Sequence, residues 1–166
     1  MNLKNYNQNI IDFIVLLSLF LLDRLSKLYV IYLDNKLGNS EIYLTKFFNI
    51  QLIWNDGIAF GLFAFNDIFY YNALTGIIII VTFIVLFFMI KTQGIEKYCF
   101  MMILGGSLGN IFDRLYYSAV PDFIDLHYQN FHWFIFNVAD IFITIGVFFM
   151  ILSEFFVKKQ NNYDKN

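Results

Sequence analysis

Two aspartates, Asp122 and Asp140, stand eighteen residues apart in a chain whose other long runs are apolar. An ionisable group at the edge of a bilayer core is costly and marks a functional site by default. Pro121 removes a backbone donor and disfavours helix at Val120. Asp122 is therefore expected where the chain has left a helix, and Asp140 near the start of the next one. A folded loop between them lets the carboxylates meet. Two carboxylates at close range do not both ionise easily, so they tend to share a proton. One then takes a proton from a water while the other, protonated, polarises a peptide carbonyl. The same pair in a small membrane transporter would be a proton relay, and a scaffold would use it for neither purpose.

Residues three or four apart share a helix face. Gly106, Asn110, Asp113 and Arg114 make one polar stripe, Asn137, Asp140 and Thr144 a second, and Asp23 with Lys27 a third. Converging polar stripes satisfy one another inside a bundle, where lipid offers no partner. The acid of the third stripe precedes its base by one turn, which reads as an ion pair locking that helix rather than as catalysis. Arg114 reads as a substrate contact or as a residue that positions an aspartate. Gly105, Gly106 and Gly109 allow a neighbouring helix or a substrate backbone to come close. Gly105-x-Ser107-x-Gly109 matches a serine-hydrolase elbow, but that pattern needs a strand before it and here lies within an apolar run. Ser26 and Lys27 are helix neighbours that point about 100° apart, so they form no dyad. His127 and His132 do not fit the His-Glu-x-x-His zinc pattern. They are expected at a membrane interface beside Tyr128 and Trp133, where amphipathic rings are favoured.

The elements that must position these groups follow from composition. The chain has 166 residues, of which 59% are hydrophobic and only 14% charged. Soluble domains carry roughly a quarter charged residues, so this is a membrane composition. A net charge of -2 gives no footprint for nucleic acid, and the single Cys99 excludes an internal disulfide and any multi-cysteine metal site. Four apolar runs, 10–33, 69–90, 98–115 and 136–157, are long enough to cross a core that takes roughly 20 helical residues. The first has no small-residue cleavage site after it and reads as a retained helix whose second half faces protein. The second carries no charge and is expected to face lipid. Between the runs, 34–67 and 116–135 read as loops, and in the second Val120, Asp122, Ile124 and Leu126 share one face if it is extended. The first loop holds a strand, since Phe48, Ile50, Leu52 and Trp54 recur every second residue. Asn55-Asp56-Gly57 closes that strand with a turn, and Ile58-Ala59-Phe60-Gly61 would then lie against the bilayer or the helices.

Outside the spans, six lysines fall on the side of the termini and two (Lys36 and Lys46) on the other. The positive-inside tendency puts both termini in the cytoplasm and both loops outside. The expectation is one domain, residues 1–166, an all-α integral membrane protein of four transmembrane helices with a small extracytoplasmic β-like cradle.

Five runs taken in order resemble the lipoprotein signal peptidase family (signal peptidase II). They are Asp23-Arg24-Leu25-Ser26-Lys27, Asn55-Asp56-Gly57-Ile58-Ala59-Phe60-Gly61, Gly105-Gly106-Ser107-Leu108-Gly109-Asn110-Ile111-Phe112-Asp113-Arg114, Val120-Pro121-Asp122-Phe123 and Phe136-Asn137-Val138-Ala139-Asp140. The resemblance implies an aspartyl endopeptidase of the bacterial cytoplasmic membrane, with its active site at the outer face. Its substrates would be diacylglyceryl-modified prolipoproteins, cut before the lipobox cysteine. Asp122 and Asp140 would be the catalytic pair. Asn110, Arg114 and Asn137 would hold the pair and the substrate backbone, with Asn55, Asp23, Lys27 and Asp113 in support. Membrane lipids would be partners, the protein would be a monomer, no metal or organic cofactor is implied, and globomycin would block the site. Two departures are visible. Pro121 stands where a second aliphatic residue is expected, and Trp133-Phe134-Ile135-Phe136 lacks a proline and is one residue short.

Overall fold

The computed structural model describes residues 3–38, 41–57, 68–129 and 131–163. In chain order these form α1 (Leu3–Leu37), β1 (Ile42–Tyr43), β2 (Phe48–Asn55), α2 (Ile68–Lys91), α3 (Ile95–Tyr117), β3 (Val120–Tyr128), β4 (Phe131–Phe136) and α4 (Val138–Tyr163).

The helices answer to the apolar runs, and they differ in how they carry polarity. α2, and α4 over Val138–Phe155, are long and apolar enough to cross a bilayer by themselves. α2 turns Ile77, Ile80, Phe83, Ile84 and Phe87 outward, as expected of an uncharged run. α1 and α3 are long enough to span as well, about 50 and 35 Å at 1.5 Å per residue, but each carries acids and bases. Those charges lie inward: Asp23, Arg24 and Lys27 of α1 are buried, as are Asp113 and Arg114 of α3. The expectation that the second half of the first run faces protein holds for one face only. Leu21, Leu22, Leu25, Leu28 and Tyr29 point outward.

α3 is the central helix and packs against α1, α2 and α4. Met89, Met101 and Leu104 form the apolar core, with Val15, Leu16 and Val85 against them. The small residues of α3 set the helix spacing. A Cβ on Gly106 would come within 2.5 Å of the Ala139 carbonyl oxygen of α4, and one on Gly109 would collide with the Asp23 carboxylate of α1. Near the other end of the same helices, Lys97 of α3 pairs with Asp12 of α1, so α1 and α3 run parallel.

α3 stops at Tyr117 because Ser118 takes a left-handed conformation (φ 57°, ψ 21°) and Val120-Pro121 follows in extended form. Four antiparallel strands then cap this end of the bundle in the order β1-β2-β3-β4. Pro121 is tolerated because β4 pairs only with Ile124 to Tyr128 of β3, which leaves the strand open on that side at Pro121.

Residues 116–135 are not a loop but the end of α3 followed by β3 and most of β4, and all-α understates a four-stranded sheet. Aromatic and β-branched residues fill that segment, and without a strong turn signal their two-residue period was legible only in part. The strand expected at 48–54 is present. The fourth helix begins at Val138 rather than residue 136, because Phe136 still belongs to β4. Ile58-Ala59-Phe60-Gly61 lie outside the described residues.

Candidate active site

Asp122 and Asp140 approach one another through a single asparagine. Asp122 sits on β3 opposite Ile53 of β2 and is buried. Its Oδ2 accepts a hydrogen bond from Asn55 Nδ2 (2.8 Å), and its Oδ1 accepts one from Asn137 Nδ2 (2.5 Å). Asn137 is the residue before α4. Its Oδ1 accepts from the Asp140 backbone N–H (3.1 Å), while Asp140 Oδ2 accepts from the Asn137 backbone N–H (3.2 Å). This reciprocal pair is a capping box built from Asn and Asp. An acid in the first helical turn is also favoured by the helix dipole. The expected polar stripe of Asn137, Asp140 and Thr144 is thus corrected: Asn137 is a cap, not a helix-face residue. One side chain and its own backbone N–H therefore contact both carboxylates.

The remaining Asp140 oxygen, Oδ1, accepts from Asn110 Nδ2 of α3 (2.9 Å). Asn110 cannot turn over freely, because its Oδ1 accepts from Lys27 Nζ (2.8 Å). Lys27 is fully enclosed and meets two more oxygens, Asp23 Oδ2 at 2.8 Å and Asp113 Oδ2 at 2.7 Å. The contacts to Asn110 and Asp23 are hydrogen bonds, and the one to Asp113 Oδ2 is an ion-pair contact without hydrogen-bond geometry. Asp113 also pairs with Arg24, and Asp23 Oδ1 accepts from the Ala139 N–H (2.9 Å). Two acids and two bases thus balance in a buried cluster that joins α1, α3 and α4. The expected Asp23–Lys27 ion pair is present and extends further than an i,i+4 lock. Arg114 does not pair with its neighbour Asp113. Its Nη2 donates to the Gly57 carbonyl oxygen (2.6 Å). Gly57 N–H in turn donates to Asn55 Oδ1 (2.9 Å). Arg114 thereby fixes the turn that presents Asn55 to Asp122.

Two cavities flank the pair. One of about 360 Å³ is almost wholly apolar and is lined by Leu126, Trp133, Phe134, Phe136, Ile141 and Asp140. The other, about 390 Å³, is more polar and is lined by Trp54, Asn55, His132, Trp133, Phe134 and Asp122. Each aspartate thus opens on a different cavity, and Trp133 and Phe134 form a wall common to both. Asp122 titrates well above the usual carboxylate range, at about 6. Burial is the main cause and the nearby Asp140 charge adds to it, while the hydrogen bonds from Asn55 and Asn137 oppose the shift.

The sequence profile of the family described as "Signal peptidase (SPase) II" matches residues 15–156. The chain belongs to the signal peptidase II family. Among its relatives, the lipoprotein signal peptidase of Pelagibacter ubique is 48% identical over 99% of this chain and 98% of that protein. The lipoprotein signal peptidase of Anaplasma phagocytophilum is 39% identical over 93% of this chain and 98% of its own. In fold the chain resembles a bacterial membrane enzyme solved by the in meso method, with a TM-score of 0.68 at 23% identity, covering 91% of this chain and 90% of that one. The family makes this a membrane-associated protease and gives the transporter reading no support.

Within this signal peptidase II chain all nine residues singled out from the sequence fall into one connected region. Asn55, Asn110, Asn137, Asp122 and Asp140 form its centre. Asp23, Lys27 and Asp113 form the ionic cluster behind it, and Arg114 braces it from the side. Sequence reasoning left out Arg24, whose partner Asp113 lies 89 positions away. It also left out the Trp133–Phe134 wall, which only the strand register could have revealed.

Proposed function

We propose that this chain is an aspartic endopeptidase that removes the signal peptide from diacylglyceryl-modified prolipoproteins by cleaving before the lipobox cysteine. Asp122 and Asp140 are the catalytic pair. The observation that carries the reading is Asn137, which hydrogen-bonds both carboxylates where an apolar and a polar cavity meet. With one proton between them, one aspartate activates a water and the other donates to the scissile carbonyl oxygen. The apolar cavity at Asp140 suits lipid or an apolar signal-peptide side chain, and the polar groove at Asp122 suits peptide backbone. Asn55, Asn110 and Asn137 position the carboxylates, and Arg114 braces the Asn55 turn. Asp23, Lys27 and Asp113 hold α1 against α3. All four helices span the bacterial cytoplasmic membrane as one peptidase domain, with both termini cytoplasmic, the sheet and the site at the outer face, and the chain acting as a monomer.

The test is gel-shift processing of lipobox peptides by purified protein in detergent. Diacylglyceryl-modified peptide is cut, and globomycin blocks the reaction. Bare peptide is cut at least about a hundredfold more slowly, the equivalent of burying three or four methylenes at about 0.8 kcal/mol each. Equal rates on both peptides contradict the lipid part of the reading, and no cleavage of either contradicts the whole.

The Asp122 value gives a pH prediction. The proton held by the pair in the free protein is present below about 6 and is lost as pH rises through that value. The kcat/KM profile should therefore fall on its alkaline side with an apparent pKa near 6. Bound substrate excludes water and raises the value further, so the alkaline limb of kcat should lie higher than that of kcat/KM. A profile flat from mildly acidic to mildly alkaline pH would remove Asp122 from proton transfer.

A further inference from the structure

The sheet carries a second cluster of chemistry-bearing side chains that the peptidase pair does not use. Asp125 and His127 lie two residues apart on β3 and so share a face. Opposite them, β4 departs from regular pairing. Leu126 faces Phe134, yet the next residue, His127, faces His132, so Trp133 is an extra residue in the ladder. This bulge reverses the alternation of β4. Without it His132 would share the face of Phe134 and Phe136, and with it His132 is re-aimed onto the face of Asp125 and His127.

The result is a compact donor set. One ligand atom from each of Asp125, His127 and His132 lies within 4.8 Å of the other two. His132 Nδ1 is 2.8 Å and His127 Nδ1 is 3.6 Å from Asp125 Oδ2. The two rings stack with centroids 5.4 Å apart. Asp125 is completely buried, and neither its Oδ1 nor His127 Nδ1 has a hydrogen-bond partner among the described residues. Buried polar atoms are nearly always paired, and each exception calls for an explanation such as an ion. Asn49, opposite Asp125 on β2, is also buried, with its Oδ1 unpartnered. Its Nδ2 donates to Glu41 Oε1 (2.8 Å).

We propose that Asp125, His127 and His132 bind a divalent cation of the zinc type, separate from the Asp122–Asp140 pair. Two imidazoles and one carboxylate are the donors that zinc prefers, with water free to fill a fourth position. Tetrahedral ligands at about 2.1 Å from zinc stand roughly 3.4 Å from one another; the 2.8 and 3.6 Å separations from Asp125 bracket that spacing, and the three donors, all within 4.8 Å of one another, draw together around the ion. Bound there, the ion ties β3 to β4 through His132, the neighbour of Trp133, the residue that walls both cavities. Its role is to hold that wall, not to take part in peptide cleavage.

Full-length protein in detergent, stripped with chelator and desalted, is titrated with zinc against a chromophoric chelator. One zinc per chain should be retained, and zinc should raise the thermal transition, since an ion that binds only the folded state stabilises it. His132→Gln, at an exposed position, should weaken binding by at least about tenfold and shrink the thermal shift at a given zinc concentration; losing even an outer-shell partner costs about that much. His127→Gln should do the same. Asp122→Asn should bind zinc as the unchanged protein does, which separates this site from the peptidase pair. Zinc not retained by the unchanged protein overturns the proposal. So does retention that survives in the His127→Gln/His132→Gln double variant, or retention lost in Asp122→Asn.

Discussion

Replacing either Asp122 or Asp140 by Asn is expected to lower kcat by about 10²–10⁴-fold or more while the protein still folds into detergent. The structure explains why this nearly isosteric change is severe. Each carboxylate accepts two N–H donors, one on each oxygen. An amide can accept at only one of those places, so its NH₂ group must face a donor whichever way it turns. Asn110 cannot rotate to relieve the conflict at Asp140, because Lys27 holds its carbonyl oxygen. Asn55 is fixed in the same way by its hydrogen bond from Gly57 N–H. The substitution therefore removes the shared proton and disturbs the geometry at once. Residues that act as a unit are non-additive, so the double variant should be no slower than the worse single one. Single-turnover cleavage of a lipidated lipobox peptide measures this, with circular dichroism and size exclusion as fold controls. Activity within tenfold of the unchanged protein for either variant would dissolve the pair.

How far the site was legible beforehand depends on the kind of residue. The two aspartates, Asn110 and the Asp23–Lys27 pair were readable because charge and amide are conspicuous in apolar runs, where each needs a stated reason to be present. The four helices were readable from their apolar runs, although α1 starts at Leu3 rather than residue 10 and α4 continues to Tyr163 rather than 157, where polar residues hide the helix. The sheet was not. In 116–135 Phe, Tyr, Ile and Trp occupy both strand faces, so the alternation that marks a half-buried strand is blurred. The Trp133 bulge breaks what alternation remains, and with it the link between His132 and Asp125. Asn137 was recognised as a site residue but assigned to a helix face. Its capping role depends on where α4 begins, and a helix boundary is the part of a sequence reading most often displaced by a residue or two. Arg24 carries no such signal, because its counter-charge Asp113 comes from another helix and single-sequence periodicity carries no information about pairing between helices.

The largest expected loss of stability lies at Lys27. Lys27→Met keeps an unbranched stem but removes the ammonium that meets Asp23, Asp113 and Asn110. Asp113 retains Arg24. Among the described residues the Asp23 carboxylate then retains only the Ala139 N–H and is left as an enclosed, uncompensated anion against Gly109. Breaking a buried ion pair by deleting one partner costs about 3–5 kcal/mol, so a marked fall in the thermal transition is expected. Adding Asp23→Asn removes the stranded charge, and the Asn Oδ1 can still accept from Ala139, so the double variant should recover much of that stability. Activity should behave differently. In both variants Asn110 Oδ1 has lost the donor that fixes its orientation, and Asn110 is free to turn its amide away from Asp140. Cleavage by the folded fraction should fall and stay low in the double variant, while its thermal transition rises. Recovery of both together would reduce the ionic cluster to a scaffold for the helices. Recovery of stability alone would make Lys27 a positioning residue that acts on Asp140 through Asn110.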